Sequence, residues 1–330
     1  MTRRQRSVGR AAVPLSTLSF GAAGIGNLFT AITDREADQA VHTAWECGYR
    51  YFDTAPHYGL GLSERRLGRA LRHYPREQYA LSTKVGRLLV PQDGTGRDTE
   101  GFAVPATHRR EWDFTADGVR RSLEASLERL GLDRVDIVYL HDPDDHADQA
   151  LDEAYPALER LRAEGVVGAI GVGMNQTAVP ARFVRDTDID AVLLAGRYTL
   201  LDQSGLDELL PLADERGVGV VNAGVFNSGL LADPAPGARY DYRTAPAALL
   251  DRALALKAVC ERHGVPLLAA AAQFGLGHPA TVSVLVGVRR PEQVRDAAEL
   301  MERPVPAPLW AELRERGLLP AHVPTPGQAP

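Results

Sequence analysis

The segment FDTAPHY carries an acid, an imidazole and a phenol within six residues, namely Asp53, His57 and Tyr58. It closes an apolar run that predicts a buried strand. Two later apolar runs also end in side chains that can hold or position a proton, Lys84 in LSTKVG and His141 in VYLHDPD. The chain therefore places an acid, a phenol, a lysine and an imidazole at the ends of three successive predicted strands.

This combination suits proton transfer at a carbonyl or alcohol group. A tyrosine hydroxyl with a pKa near ~10 exchanges protons poorly at neutral pH. An ammonium group such as that of Lys84 favours the phenolate of Tyr58 and lowers its pKa, and Asp53 can hold the lysine in place. His141 can then position the substrate oxygen while a hydride moves at the carbon. Acid–base help of this kind contributes about 10²–10⁴-fold in rate.

The elements that must position these residues follow from the hydrophobic pattern. Short runs that are apolar on both faces alternate with amphipathic segments, and Thr115 and Ser63 are predicted to cap two of the helices. Eight such strand–helix pairs over about 300 residues predict one (β/α)8 barrel domain, residues 1–330. The predicted strands are Leu15–Phe20, Tyr49–Thr54, Ala80–Val85, Val135–Leu140, Val167–Val172, Ala191–Leu194, Val218–Asn222 and Thr281–Val286.

The barrel prediction also explains why the reactive residues should meet. Barrel enzymes keep their active sites at the mouth formed by the carboxyl ends of the strands. The runner-up fold is a doubly wound sheet, which needs a glycine fingerprint after the first strand. The segment GAAGIG is only a loose version of that fingerprint. We interpret its glycines as a first strand-to-helix turn that approaches the barrel mouth.

Three segments fall outside the strand–helix alternation. Residues 86–114 lack clear periodicity and follow the third strand, so we predict a long substrate loop over the mouth. The residues before Leu15 are predicted to form a flexible start, because Pro14, Ser16 and Thr17 interrupt any signal-peptide core. The tail at about residues 321–330 is predicted to be loose, solvated chain.

The bulk composition argues against several partner classes. The chain has 37 basic and 43 acidic residues, a net charge of -6, which does not favour nucleic acid or an anionic membrane as partner. No window approaches the ~18 apolar residues of a membrane span. The two cysteines, Cys47 and Cys260, have no CxxC neighbour and fit a reducing compartment, which predicts a cytoplasmic protein. The composition leaves the oligomeric state open.

Four ordered motifs resemble those of the aldo-keto reductase family. FDTAPHYGLGLSERRLGRAL is similar to the family signature, and STKVG, YLHDPD and GVGMNQ are similar to its lysine, histidine and asparagine segments. The resemblance covers almost the whole chain and implies a nicotinamide cofactor, NAD or NADP, bound in extended form without a Rossmann domain. It implies that Tyr58 is the general acid/base, Lys84 its pKa tuner, Asp53 the partner of Lys84, and His141 the substrate-orienting residue.

The same resemblance assigns two later segments to the cofactor. Val225–Ala232 is similar to the segment along the pyrophosphate, and VLVGVRRPEQVRDA to the one that holds the adenosine end, where a helix N-terminus suits phosphate. An arginine that often marks a 2'-phosphate site is Gln293 here, with Arg289 or Arg290 as substitutes, so NAD and NADP stay open. The implied cofactor residues are Asn175, Phe226, Asn227, Ser228, Gly229, Leu231, Gly287, Arg289, Gln293 and Asp296.

The chain departs from the wider family where the nicotinamide would stack. A glutamine that usually helps to hold the carboxamide is Ala195 here, and the usual stacking tyrosine aligns with Ala223. Phe226 and Tyr198 are the substitutes that the sequence offers.

Within the family, REWDFTADGVRRSLEASLERLGLDRVDIVYLHDPD and LAGRYTLLDQ are similar to the aldose 1-dehydrogenase branch, which includes L-fucose (D-threo-aldose), L-galactose and pyridoxal dehydrogenases. The implied reaction oxidises a cyclic hemiacetal to a lactone, with Tyr58 as the base. His57, Trp112 and Arg197 are candidate substrate contacts. Pyridoxal 4-dehydrogenase or general aldehyde and ketone reductase activity is the alternative, and a non-catalytic cofactor-binding regulatory subunit is the alternative of another class.

One segment suggests a metal site. HDPDDH, from His141 to His146, holds two histidines and three carboxylates, as a metal-dependent barrel isomerase or hydrolase would. Pro143 breaks the regular spacing, and the aspartates suit a loop that caps the next helix. The prediction is therefore that no metal is bound.

Overall fold

The computed structural model describes residues 5–241 and 243–327, and its strands and helices alternate along most of that length. The strands are β1 (Gln5–Val8), β2 (Val13–Ser16), β3 (Leu18–Gly21), β4 (Tyr51–Asp53), β5 (Ala80–Val85), β6 (Arg87–Pro91), β7 (His108–Trp112), β8 (Ile137–His141), β9 (Ala169–Met174), β10 (Ala191–Ala195), β11 (Gly219–Ala223), β12 (Arg239–Tyr240), β13 (Arg243–Thr244) and β14 (Thr281–Gly287). The helices are α1 (Asp34–Glu46), α2 (Leu62–Leu71), α3 (Ala116–Leu130), α4 (Ala147–Gln149), α5 (Tyr155–Ala163), α6 (Ala178–Asp186), α7 (Leu209–Arg216), α8 (Ala247–Arg262), α9 (Leu267–Phe274), α10 (Pro291–Glu302) and α11 (Ala307–Glu315).

Eight parallel strands close into a barrel in the order β10, β11, β14, β3, β4, β5, β8, β9. The ring closes where β9 pairs with β10, and β14 pairs with β3. Each of the eight predicted strands overlaps one of these barrel strands. The predicted (β/α)8 barrel is therefore confirmed, and the doubly wound alternative is wrong.

The strands are apolar on both faces because each face meets a different part of the core. One cluster of buried side chains fills the space between the sheet and the helices, and a second fills the barrel interior. The interior also holds a polar layer, in which the Tyr51 hydroxyl lies 2.9 Å from Ser82 Oγ and 3.2 Å from the Tyr139 hydroxyl. This layer lies beside Asp53, the last residue of β4.

The N-terminal segment is a hairpin rather than a flexible start. Strands β1 and β2 pair antiparallel, and Val8, Val13 and Leu15 are buried in the barrel-interior cluster. Val8 packs so closely that a Cβ on Gly219 would lie 2.4 Å from its Cγ1. The predicted flexible start is therefore wrong from Gln5 onward. Val8, Val13 and Leu15 of the hairpin pack into the apolar interior of the barrel, and this packing orders the segment. Residues 1–4 lie outside the described part.

The long third loop contains regular structure that its pattern did not reveal. Strands β6 and β7 form an antiparallel hairpin with five paired positions, from Arg87↔Trp112 to Pro91↔His108. Gly86 joins it to the barrel with φ 103°, and the Phe114 ring lies where a Cβ would be, at 2.2 Å. The hairpin is half-exposed and rich in charge, so it lacks the apolar alternation that identifies a strand.

Two local predictions need correction. The tail is not loose throughout, since Val323 and Thr325 are buried and the Tyr198 hydroxyl donates to the Pro324 carbonyl at 3.2 Å. Residues 328–330 of the predicted tail lie outside the described part. Thr115 caps α3 as predicted, but Ser63 does not cap α2, because its hydroxyl donates to the Ala22 carbonyl at 2.8 Å.

Within the described ranges, every helix is too short or too polar to cross a bilayer.

A buried ion pair joins the helices behind the site. Arg129 Nε on α3 donates to Glu64 Oε2 on α2 at 2.5 Å, and the Thr83 hydroxyl on β5 donates to Glu64 Oε1 at 2.8 Å. Glu64 is fully buried, whereas Arg129 is partly exposed. The carboxylate therefore depends on Arg129 for its counter-charge and on Thr83 for its second hydrogen bond.

Replacing Arg129 by methionine is expected to lower the free energy of unfolding by about 3–5 kcal/mol, because it leaves the Glu64 carboxylate buried without its ion-pair partner. Urea denaturation followed by circular dichroism measures this loss. Arg120→Met is the control, since it removes an exposed pair with Asp117, at 2.6 Å on the same helix. That control is expected to cost at most about 1 kcal/mol. Equal losses in the two variants would contradict the argument.

Candidate active site

A buried lysine organises the barrel mouth. Lys84 Nζ, at the end of β5, donates to Asp53 Oδ2 at 2.6 Å, to the Thr54 carbonyl at 3.0 Å and to the Tyr58 hydroxyl oxygen at 3.0 Å. An ammonium group has three donors, and all three are used. Asp53 and Lys84 are each 1% exposed. The ammonium is therefore fixed in position by the neighbouring strand β4 and the loop that follows it.

The two charges of this pair stabilise one another. Burial lowers the pKa of Lys84, but attraction by the Asp53 carboxylate and the Tyr58 oxygen outweighs burial and raises it above its usual range. Burial raises the pKa of Asp53, and the Lys84 ammonium and the Ser82 hydroxyl, which donates to Oδ1 at 2.7 Å, oppose that shift. At neutral pH the pair is an ion pair with both carboxylate oxygens occupied.

Tyr58 lies between this ion pair and the open cavity. Its oxygen accepts from Lys84, and its ring centroid lies 4.6 Å from Lys84 Nζ. A cation that donates a hydrogen bond to the phenol oxygen stabilises the phenolate relative to the phenol. The contact with Lys84 thus favours the deprotonated form of Tyr58, which is the form that can accept a proton.

His141, the last residue of β8, is a buried neutral imidazole. Its ring centroid lies 6.0 Å from that of Tyr58 and 5.6 Å from that of His57. Burial, with the charges of Arg87 and Lys84, lowers its pKa well below the usual range. Its Nδ1 has no hydrogen-bond partner among the described residues. A neutral ring keeps one donor and one acceptor nitrogen, so it can bond a substrate oxygen without adding charge.

His57 faces the same space from the loop after β4. Burial and the charges of Arg87, Arg110 and Lys84 lower its pKa to about 2. Its Nδ1 lies 3.4 Å from Arg87 Nη1, and its backbone carbonyl accepts from Arg110 Nη2 at 3.0 Å. The arginines of the β6–β7 hairpin thus dock directly onto the loop that carries Tyr58.

These side chains open into one cavity of about 590 Å³. The predicted residues His57, Tyr58, Lys84, His141 and Asn175 all line it, while Asp53 lies behind Lys84. The structure therefore brings together the four residues proposed for catalysis. The other lining residues are Ala23, Leu28, Phe29, Glu100, Gly101, Phe102, Asp142, Gly173, Met174, Leu193, Ala195 and Arg239.

Several lining residues escaped the sequence reasoning. Glu100 and Phe102 come from the segment between β6 and β7, whose length signalled function but whose pattern singled out no residue. The sequence offers Asp142 as one carboxylate of the HDPDDH segment, for a metal or for a helix cap, yet it pairs with Arg87 and has φ 44°. Arg239 of β12 lies over the ring of Phe29, 4.6 Å from its centroid. No sequence signal connects segments so far apart in the chain.

Two predicted substrate contacts lie elsewhere. Trp112 does not line the cavity, is 46% exposed and stacks on Phe114 with ring centroids 5.9 Å apart. Arg197 donates to Asp241 Oδ2 at 2.7 Å and lies 3.4 Å from Asp202 Oδ2, also outside the cavity wall. The structure thus gives both side chains partners within the described chain instead of a place at the cavity wall.

The residues proposed for the cofactor form two groups beyond Asn175. After β11, the chain turns through Asn227 and Ser228, which have φ 46° and 56°, and Leu231 is buried beneath. Asn227 is buried and its Oδ1 has no partner among the described atoms. Phe226 packs at the edge of the outer core and Gly229 follows the turn.

The second group surrounds the start of α10. Gly287 is exposed, and the Arg289 amide donates to Gln293 Oε1 at 3.1 Å, while Asp296 lies one turn further on and is exposed. Arg289 Nη1 also donates to the Leu28 carbonyl at 3.2 Å. Among the described residues no side chain caps the start of α10, so the amide groups that follow Pro291 in its first turn can bind an anion.

The proposed aromatic substitutes for nicotinamide stacking differ in placement. Tyr198 is fully buried, packs on Phe274 at 4.9 Å between centroids and is outside the cavity wall. Ala195 lines the cavity, and Ala223 is buried at the end of β11.

The described part of the chain places no group of three or more histidine, cysteine or acidic side chains where it could hold a metal ion.

Comparisons with known proteins point to one family. The model of the Aldo/keto reductase family matches residues 17–316. A D-threo-aldose 1-dehydrogenase of a Pseudomonas species is 49% identical over 97% of this chain and 99% of its own length. The pyridoxal 4-dehydrogenase of Microbacterium luteolum is 40% identical over 96% and 98%. Among solved structures, the holo form of an aldo-keto reductase from Bacillus halodurans has a TM-score of 0.75 at 28% identity, covering 97% of this chain and 98% of that one.

The lowered pKa of His57 predicts a stability change with pH. In the unfolded chain a histidine takes up a proton below about pH 6.5. Folded His57, whose pKa is lowered to about 2, stays neutral as the pH falls through that range. Stability is therefore lost as the pH falls below about 6.5, by about 2 kcal/mol between pH 7 and 5 from this residue alone. Urea unfolding at both pH values measures it.

His57→Asn is expected to lose about 2 kcal/mol less than the wild type over the same pH step. The control His322→Asn, at an exposed histidine, is expected to lose as much as the wild type. If His57→Asn and the wild type lost equal stability, His57 would be protonated in the folded protein.

Proposed function

Because the chain belongs to the aldo-keto reductase family, and is thus an oxidoreductase that uses a nicotinamide cofactor, we propose that it oxidises an aldose at C1 to the lactone. The observation that carries this proposal is the hydrogen-bonded series Asp53–Lys84–Tyr58 beside a neutral His141 in one cavity. Similarity to the Pseudomonas enzyme supports an aldose of the D-threo type, such as L-fucose or L-galactose.

In this proposal the chain's residues move one proton. The C1 hydroxyl of a cyclic hemiacetal donates to the Tyr58 oxygen, which takes the proton as the C1–O bond becomes a carbonyl. The Lys84 ammonium stabilises the phenolate before that transfer. The neutral imidazole of His141 bonds the same substrate oxygen and fixes its orientation. The hydride that leaves C1 would need an acceptor in the same cavity, which a bound nicotinamide would supply.

The residues present fit that cofactor. Asn175 in the cavity wall offers amide groups for a carboxamide, and the uncapped start of α10 offers free amide groups for phosphate. The segment from Phe226 to Leu231 would lie along the pyrophosphate. In place of an aromatic face, the cavity offers the aliphatic side chains of Met174 and Ala195 to the nicotinamide. Arg289 and Asp296 put both signs of charge near the adenosine end, so the residues there fit NAD as well as NADP.

A second candidate is oxidation of pyridoxal, whose hemiacetal carries the same reacting group. Similarity to the Microbacterium enzyme and the Phe102 ring in the cavity wall favour it. Reduction of an aldehyde or ketone is the reverse direction of the same chemistry. The proposed location is the cytoplasm, in line with two cysteines that are not joined, the half-buried Cys47 and the buried Cys260.

Purified protein with NAD+ or NADP+ and L-fucose, L-galactose, D-arabinose or pyridoxal is expected to generate reduced nicotinamide, measured by its absorbance. Tyr58→Phe is expected to lower kcat by about 10²–10⁴-fold, because the proton acceptor is lost. Cofactor binding, followed by quenching of protein fluorescence, is expected to stay unchanged in that variant.

Tyr155→Phe is the matched control, since its hydroxyl bonds Glu159 on the surface of α5. It is expected to keep wild-type activity. Full activity in Tyr58→Phe would overturn the proposed mechanism. No turnover of any aldose or pyridoxal with either cofactor would overturn the proposed function and would favour the non-catalytic alternative.

A further inference from the structure

We propose that Glu100 is a specificity-determining residue that accepts hydrogen bonds from the hydroxyl groups of the substrate. This inference rests on the proposed function, because it concerns which sugars the same cavity selects. Glu100 lines the cavity that also contains Tyr58 and His141, but it comes from the hairpin segment and not from the barrel.

The backbone of Glu100 is held in place. Asp98 Oδ2 accepts from the amides of Glu100, at 3.2 Å, and of Phe102, at 3.3 Å. The Asp98 side chain is itself buried and pairs with Arg110 at 2.6 Å. On the other side, the Phe29 amide donates to the Gly101 carbonyl at 2.8 Å. The turn is therefore anchored on both sides, and only the Glu100 side chain extends from it.

The carboxylate of Glu100 has unused acceptor capacity. Its nearest nitrogen atoms are Arg110 Nη1, 3.3 Å from Oε1, and His57 Nδ1 and Arg87 Nη1, which lie 3.6 Å and 4.0 Å from Oε2. His57 is neutral, and none of these contacts has the geometry of a hydrogen bond. Within the described ranges, this carboxylate accepts no hydrogen bond from a side chain or amide, although it is 47% exposed beside the cavity.

The surroundings decide what a carboxylate can do there. Two arginines next to it offset its negative charge, so the site does not favour a cation over a neutral ligand. A carboxylate has about four acceptor sites and can bond two neighbouring hydroxyl groups at once. Phe29 and Phe102, which flank the same turn, also line the cavity and offer apolar surface to the C–H face of a ring. A polyhydroxylated ring uses both surfaces, whereas a simple aldehyde has nothing for Glu100 to bind.

The other carboxylate of the cavity wall is already engaged. Asp142 pairs with Arg87, and its Oδ2 lies 3.6 Å from His141 Nε2. That leaves Glu100 as the acidic side chain, within the described part of the cavity wall, with free acceptor sites. Hydroxyl recognition is therefore assigned to the hairpin, and proton transfer to the barrel.

The test compares Glu100→Gln with the wild type on two substrates. One is the aldose that the wild type oxidises best, and the other is butanal, reduced with the reduced cofactor. Loss of a charge-assisted hydrogen bond is expected to lower kcat/KM for the aldose by about 10- to 100-fold. For butanal, kcat/KM is expected to stay within about twofold. Glu111→Gln, on β7 of the same hairpin and outside the cavity wall, is the control and is expected to change neither.

Deoxy analogues of the aldose identify which hydroxyl group Glu100 binds. For the analogue that lacks the hydroxyl bound by Glu100, Glu100→Gln is expected to cause no further loss, because the two changes remove one interaction. A loss in Glu100→Gln that is equal for aldose and butanal, or absent for both, would overturn the inference alone. A wild type that reduces butanal but oxidises no aldose would overturn the proposed function, and the inference with it.

Discussion

The buried ion pair between Asp53 and Lys84 is the contact on which the site depends. Two charges at 1% exposure are tolerated only because their hydrogen-bonding groups are satisfied, by Thr54, Ser82 and Tyr58 as well as by each other. Those partners lie on adjacent strands and on the loop that follows one of them. The pair therefore fixes strand register, loop position and phenol orientation together, and a shift in any of them leaves a buried charge unpaired.

Close backbone packing is the second constraint, and it explains the glycines near the site. A Cβ on Gly59 would lie 2.2 Å from the Gly26 carbonyl oxygen, and one on Gly26 would lie 2.9 Å from the Tyr58 carbonyl oxygen. Gly59 also has φ 64°, which other residues rarely adopt. The glycines of GAAGIG thus let the first turn press against the loop that carries Tyr58. Their interpretation as a turn approaching the mouth, rather than a nucleotide fingerprint, agrees with this packing.

How much the sequence predicts depends on how each element is stabilised. Barrel strands are predictable because burial on both faces imposes a continuous apolar run, and strand ends converge by topology alone. The hairpin strands are not predictable in this way, because a half-exposed strand does not require a strict alternation of apolar and polar residues. The directions of the Trp112 and Arg197 side chains are unpredictable for a related reason, because they depend on the geometry of the β6–β7 hairpin and of the loop after β10, which the hydrophobic pattern does not give. Nothing in the sequence distinguishes Glu100, because a single acidic residue in a polar loop has the same sequence context as an ordinary solvent-exposed acidic residue.

The attachment of the β6–β7 hairpin has a consequence for how such an enzyme diversifies. It leaves the barrel at Gly86 and returns before Phe114, and its strands pair only with each other among the described strands. Mutations within it that spare Arg87 and Arg110, which contact Asp142 and the loop of His57, therefore leave the barrel hydrogen bonds and the Asp53–Lys84 pair intact. Gene duplicates can drift in this one excursion and acquire new substrates, while the inherited chemistry and the folding stability of the barrel stay under separate selection.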